Sequence, residues 1–102
     1  MREISPSDAL ARQSDGALLI DVREAEEYAK EHARNAIHLS RGVLEMKIED
    51  AAPDLNASII CYCGGGNRSI LAVENLQRMG YANVVSMSGG FKGWKEQHLP
   101  LA

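Results

Sequence analysis

Ile59-Ile60-Cys61-Tyr62-Cys63-Gly64-Gly65-Gly66-Asn67-Arg68-Ser69 is the stretch on which the fold turns. The run from Ser58 to Tyr62 reads as a buried strand, because central strands of a parallel sheet are apolar on both faces. A cysteine stands where that strand ends. Three glycines, an arginine and the start of a helix follow it. In an open α/β sheet, ligands bind beyond the carboxyl ends of the strands. Successive glycines let backbone N–H groups turn inward as an anion-binding nest. The next helix adds its unpaired N–H groups and the positive end of its dipole. Positive potential at that point favours a thiolate at Cys63. These residue types in this order fit a cysteine nucleophile that also binds an oxyanion, with no general base required. Glycines alone would make only a flexible turn, and without Lys-Ser/Thr after the loop this is no nucleotide P-loop.

Working outward, short apolar runs alternate with segments of helical period, the pattern of an α/β fold with a mainly parallel sheet. Ser5 reads as an N-cap, with Pro6 at the first helical position, Asp8 in the first turn and the helix ending near Gly16. Leu18-Leu19-Ile20 is a buried strand that finishes in Asp21-Val22-Arg23. Glu24 to Glu31 reads as an acidic helix anchored by Tyr28. Ala36 to Leu39 is a short strand, and Val43 to Ile48 a short helix with Val43, Leu44 and Ile48 turned inward. Cys63 to Arg68 forms the turn. The helix after it runs from Ser69 to Met79, with Ile70, Val73, Leu76 and Met79 on one stripe and Gly80 at C′. Asn83 to Ser86 is a last strand, Gly89-Gly90 a turn, and Phe91 to His98 a final helix before Pro100.

The totals agree with a single domain spanning residues 1–102. A net charge of -3 gives no general attraction for nucleic acid or an anionic membrane. Attraction for an anion must therefore be local. No stretch approaches the roughly 18 apolar residues of a membrane span, and Met1 to Pro6 lacks the apolar region of a signal peptide. The two cysteines are too sparse for a secreted disulfide framework. A reducing cytoplasm is the expected location. One intervening residue is not a structural-zinc spacing and the histidines are scattered, so neither metal nor cofactor is expected.

The loop Cys63-Gly64-Gly65-Gly66-Asn67-Arg68-Ser69 resembles the active-site loop of single-domain rhodaneses, C-x-x-G-x-R-S. Leu19 to Glu24, with Glu27-Tyr28, is similar to the family signature D-V-R-E-x-x-E-Y. His32 with Ala36-Ile37 sits where the family has G-H-I-x-G-A-I. Gly80-Tyr81 through Val84, then Gly89-Gly90-Phe91 and Trp94, resembles its closing motif. The likeness covers nearly the whole chain in order. It departs at Glu31 and Asn35, which replace two glycines, and at Gly64 and Gly65, where mitochondrial-type enzymes carry basic residues.

The resemblance implies a three-layer rhodanese-like fold, with a five-stranded sheet flanked by helices. It implies transfer of a sulfane sulfur from thiosulfate or another anionic donor to a thiol or cyanide, through a persulfide on Cys63. Gly64, Gly65, Gly66, Asn67, Arg68 and Ser69 would bind the donor. Arg68 has two readings, holding the donor's sulfonate or bracing the loop. A persulfide relay module fed by a partner protein is a second function. Phosphatase or arsenate reductase activity is a third. The related cell-cycle phosphatases use C-x5-R, however, whereas Cys63 and Arg68 enclose four residues.

Asp21 reads as a strand-end carboxylate bonded to loop N–H groups or an arginine, and Arg23 as lining or supporting the pocket. Cys61 should face the same way as Cys63, as buried core or as a resolving thiol. Phe91 and Trp94 read as core, His32 as fixing a turn, and Glu24, Glu26, Glu27 and Glu31 as a solvated helix face.

Overall fold

The two strongly apolar segments pair with each other at the centre of the sheet. β2 (Leu18–Asp21) and β4 (Ile59–Tyr62) run parallel, with Leu18 opposite Ile59 and Asp21 opposite Tyr62. β5 (Val84–Met87) lies on the other side of β4, placing Ser86 opposite Cys61. β1 (Glu3–Ile4) adds to β5 and β3 (Ile37–His38) to β2, giving the order β1-β5-β4-β2-β3 with every pairing parallel. The computed structural model describes residues 3–65 and 67–102, with Asn67 described by its backbone only. β1 is not among the strands read from the sequence. Two residues with one apolar side chain carry no period, and only pairing with β5 makes them a strand.

Alternation along the strands divides the core into two. Ile20, Val22, Ile59, Cys61, Cys63 and Val84 pack against Leu44 and Ile48 of α3 (Leu44–Ala51) and Ala72, Val73 and Leu76 of α4 (Asn67–Arg78). Leu19, Ile60, Tyr62, Val85 and Met87 pack against Ala9 of α1 (Pro6–Ser14) and Phe91 and Trp94 of α5 (Gly90–Glu96). The result is a three-layer α/β arrangement. No helix among the described residues is long and apolar enough to cross a membrane.

Helix ends follow local chemistry. Ser5 Oγ accepts from the Asp8 N–H at 3.1 Å and Pro6 opens α1, as read. α2 (Ala25–Lys30) buries no residue completely. Tyr28 anchors it through its hydroxyl, which donates to the Ala36 carbonyl at 2.8 Å, and through stacking on His32. His32 itself bonds the Tyr28 carbonyl at 2.8 Å, closing the turn. α3 differs from the sequence reading: it begins after Val43, which is only half-buried at the N-cap, and continues to Ala51.

α4 begins two residues earlier than read, so Arg68 and Ser69 belong to its first turn. Met79 lies beyond the last turn and is 36% exposed, leaving the inward stripe to Ala72, Val73 and Leu76. α5 stops at Glu96 rather than His98, which adopts φ 55° and cannot continue a right-handed helix.

Gly80 ends α4 at φ 106°, where the Tyr81 N–H returns to the Leu76 carbonyl at 3.1 Å. A side chain there would be strained and would meet Leu55 at 3.4 Å. Gly80→Ala is therefore expected to lower unfolding free energy by about 1–3 kcal/mol, read from urea denaturation followed by circular dichroism.

Candidate active site

Cys63 follows the last residue of β4, and its side chain enters the α3–α4 core, only 1% exposed. Its Sγ lies 3.7 Å from Ser69 Oγ, on the first turn of α4. Ser69 is itself fully buried and shares a hydrogen bond of 2.8 Å with Ser86. Ser69 therefore addresses the sulfur of Cys63 from inside the protein rather than from the loop surface. Gly64 is partly exposed and Gly65 exposed. Gly66 and the Asn67 side chain lie outside the described residues.

The orientation of the loop backbone comes from α5. The Phe91 N–H donates to the Cys63 carbonyl at 2.7 Å, and the Lys92 N–H to the Gly64 carbonyl at 3.2 Å. In a trans peptide the C=O and N–H point in opposite directions, and no cis bond occurs among the described residues. Fixing those two carbonyls toward α5 turns the Gly64 and Gly65 N–H groups away from it. Gly90 makes the approach feasible. Its φ is 56°, and a Cβ there would stand 2.4 Å from the Cys63 oxygen and 2.7 Å from the Gly64 oxygen.

Arg68 is half-exposed and pairs with Glu27 of α2 at 3.1 Å. Its guanidinium is held above its ordinary value chiefly by the hydrogen bond to Glu27, and also by the Coulomb field of Glu27 and by Cys63. Arg68 is thus paired with Glu27 and lies within the electrostatic influence of Cys63. A Cβ on Gly64 would lie 3.3 Å from Arg68 Nη2, so the guanidinium occupies the space a side chain at that position would need. The Glu27 carboxyl is held below its usual range, first by the Arg68 hydrogen bond. Its contribution to folding is present above the ordinary glutamate range and lost as pH falls through the lowered value. The acidic face is thus not simply solvated: Glu27 holds Arg68, and Glu31 pairs with Lys95 at 2.5 Å.

Asp21 and Arg23 form a different constellation. Asp21 is fully buried and Arg23 is 5% exposed. Arg23 Nη2 lies 2.7 Å from Asp21 Oδ2 and also donates to the Glu31 carbonyl at 2.7 Å. Tyr62 donates its hydroxyl to Asp21 Oδ2 at 2.7 Å and accepts from the Ala33 N–H at 3.2 Å. Burial pushes the Tyr62 hydroxyl well above its ordinary range, and the bond to Asp21 pushes it further. Arg23 stacks 4.3 Å over the Phe91 ring. The group braces the ends of β2 and β4 and supports Phe91 from beneath, without reaching Cys63.

A cavity of about 430 Å³ opens beside the loop, lined by Gly64, Phe91, Lys92, Lys95 and Glu96. Phe91 is therefore core on one side, against Tyr62, and cavity wall on the other. Sequence reasoning missed this group. The only signal was position, directly after Gly89-Gly90, and nothing in the sequence shows that α5 returns to the Cys63 loop.

The Rhodanese-like domain model matches residues 5–97, a span that includes both the Cys63 loop and the Gly90 contact that orients it. The chain belongs to the rhodanese-like domain family. Relatives named thiosulfate sulfurtransferase GlpE include one from Pseudomonas entomophila, 34% identical over 95% of this chain and 87% of its own length. Another, from Haemophilus influenzae, is 36% identical over 98% and 93%. Among solved structures, a rhodanese-related protein from Thermoplasma volcanium superposes with a TM-score of 0.86 at 29% identity, covering 100% of this chain and 98% of that one. In this rhodanese-like fold the second cysteine, Cys61, is completely buried, and burial pushes its thiol up to about 12. It is a neutral core side chain at physiological pH.

Two outcomes follow from these contacts. Gly90→Ala must push the Cys63 and Gly64 carbonyls off α5, freeing the peptides that aim the loop N–H groups. We expect turnover to fall by on the order of tenfold to a hundredfold while the circular dichroism spectrum is kept, measured as kcat/KM for sulfur transfer. Asp21→Asn leaves the Arg23 guanidinium buried without its counter-charge. A loss of about 3–5 kcal/mol in unfolding free energy is expected, read from urea melts.

Proposed function

We propose that this chain is a sulfurtransferase that moves sulfane sulfur from thiosulfate, or a similar anionic donor, to a thiol or cyanide through a persulfide on Cys63. The observation that carries this reading is the position of Cys63 directly after β4, in a glycine loop whose Cys63 and Gly64 carbonyls are held by α5. Relatives named thiosulfate sulfurtransferase, aligned over nearly the whole chain, support the choice of substrate class.

In the first step the Cys63 thiolate attacks the outer sulfur of thiosulfate. The sulfur–sulfur bond of the donor breaks and sulfite leaves with the bonding electron pair, so one monoanion and one dianion give a persulfide anion and sulfite. In the second step an acceptor thiolate attacks the terminal sulfur. The bond to Cys63 breaks and the Cys63 thiolate is regenerated; cyanide gives thiocyanate by the same route. Splitting the transfer in two replaces one difficult encounter by two nucleophilic displacements.

The N–H groups of Gly64 and Gly65, with Gly66 and Asn67 completing the loop, hold the negative charge of the donor and of the persulfide. Ser69 donates to the nucleophilic sulfur. Arg68 draws the donor's sulfonate toward the loop while Glu27 fixes its position. Asp21 and Arg23 serve as support. The four-residue gap between Cys63 and Arg68 encloses a smaller space than the C-x5-R loop of phosphatases, which favours sulfur over a phosphoryl group. We assign the protein to a reducing compartment such as the cytoplasm, since the proposed chemistry requires Cys63 as a thiolate. We read residues 1–102 as one rhodanese-like unit without a cofactor.

Intact mass spectrometry tests the reading. Incubation with thiosulfate should add the mass of one sulfur atom, cyanide should remove it, and Cys63→Ser should show neither event. Sulfur gained from a cysteine desulfurase but not from thiosulfate would instead make the chain a relay module. Full activity in Cys63→Ser would overturn the persulfide altogether.

A further inference from the structure

Ser86 has no part in the chemistry described so far, yet it is a fully buried hydroxyl on a strand whose neighbours on that face are Val84 and Cys61. Burying a hydroxyl costs free energy unless it is hydrogen-bonded. The partner of Ser86 is Ser69 Oγ, at 2.8 Å, and Ser69 lies 3.7 Å from the sulfur of Cys63. Side chains from β5, from the first turn of α4 and from the end of β4 thus form one continuous chain.

Proton counting gives that chain a direction. Each hydroxyl carries one proton and can accept through its lone pairs. When Cys63 is protonated, its S–H can donate to Ser69 and Ser69 to Ser86. When Cys63 is a thiolate, the sulfur only accepts. Where Ser69 turns its proton to the sulfur, its contact with Ser86 persists only if Ser86 becomes the donor. Donation from Ser86 polarises the Ser69 hydroxyl and strengthens its bond to the anion.

We propose that Ser86 is a positioning residue for the nucleophile: its hydroxyl donates to Ser69 and holds the Ser69 proton on the Cys63 sulfur. The assignment rests on the reading of Cys63 as the nucleophile. The charged and titratable groups on the neighbouring elements are already paired or lie apart from the hydroxyl chain. Arg68 comes from α4, with Glu27 of α2 behind it. Lys92, Lys95 and Glu96 of α5 line the cavity beside Gly64. Arg41 and Glu45 pair at the entrance to α3, and Cys61 is a neutral thiol on the same strand. Asp21, Arg23 and Tyr62 bond one another at the strand ends. Removing the Ser86 hydroxyl changes none of these charges, so a change in titration reports the hydroxyl chain.

The experiment is the rate of Cys63 alkylation by iodoacetamide against pH, with the label located by peptide mass, in the full chain and in Ser86→Ala, Ser69→Ala and the double variant. Ser86→Ala should slow alkylation at neutral pH by about threefold to tenfold and shift its titration upward. The loss in sulfur-transfer kcat/KM should be similar, and Ser86→Thr, which keeps the donor, should recover it. The double variant should match Ser69→Ala alone, because Ser86 acts only through Ser69. An unmoved titration in Ser86→Ala, or effects that multiply in the double variant, would overturn the assignment. Alkylation needs no sulfur donor, so this result stands apart from the persulfide mass test of the function itself.

Discussion

The Phe91 and Lys92 N–H groups, donating to the carbonyls of Cys63 and Gly64, are the contact on which the site depends. Each such bond is worth only about 0.5–1.5 kcal/mol in net stability. Their larger effect is directional. A loop of successive glycines has little preference for one peptide orientation over its reverse, and a reversed peptide would present a carbonyl oxygen to an incoming anion. Two donors on a neighbouring helix remove that freedom. The sheet order makes the contact available: β5 lies beside β4, so the turn after β5 rises next to the turn after β4. Gly90 then lets the two backbones meet where no side chain fits.

Charge is arranged in layers around this backbone contact. The chain as a whole is acidic, so attraction for an anion cannot come from its net charge. Arg68 offers a local cation, held in position by its bond to Glu27. Backbone N–H groups of the loop add a short-range field, strongest inside the loop and weak outside it. Beneath, Asp21, Arg23 and Tyr62 satisfy one another in the interior and connect α2, β2 and β4 through the Glu31 and Ala33 backbone. Their role is to keep the strand ends still, which a site built on a glycine loop cannot do for itself.

Much of this was legible in the sequence because it is local. The strand, cysteine, glycines and helix succeed one another within Ile59 to Ser69, and the Ser5 cap and Gly80 stop are read from single residues. The acid and base at Asp21 and Arg23 stand two apart, so their pairing was also within reach. What was not legible is long-range. Nothing in the residues around Phe91 says that α5 caps the Cys63 loop, that Glu27 pairs with Arg68, or that Ser86 meets Ser69. β1 was missed for the same reason, since two residues become a strand only beside β5. The start of α4 and the end of α5 each lie two residues from where apolar period puts them, and at His98 a φ of 55° sets the stop.

The burial of Cys61 has a consequence for the persulfide proposed on Cys63. A persulfide is vulnerable to any thiolate nearby: attack on its inner sulfur would form a disulfide and expel hydrosulfide, wasting the cargo. Cys61 is two residues away on the same face, yet its thiol remains protonated because it is sealed in the core. An extended strand also holds the two Cα atoms about 6.6 Å apart, near the limit for a disulfide. On the proposed route a persulfide on Cys63 would thus have the chain's other thiol beside it in an inert form, and its lifetime would be left to acceptors arriving from outside.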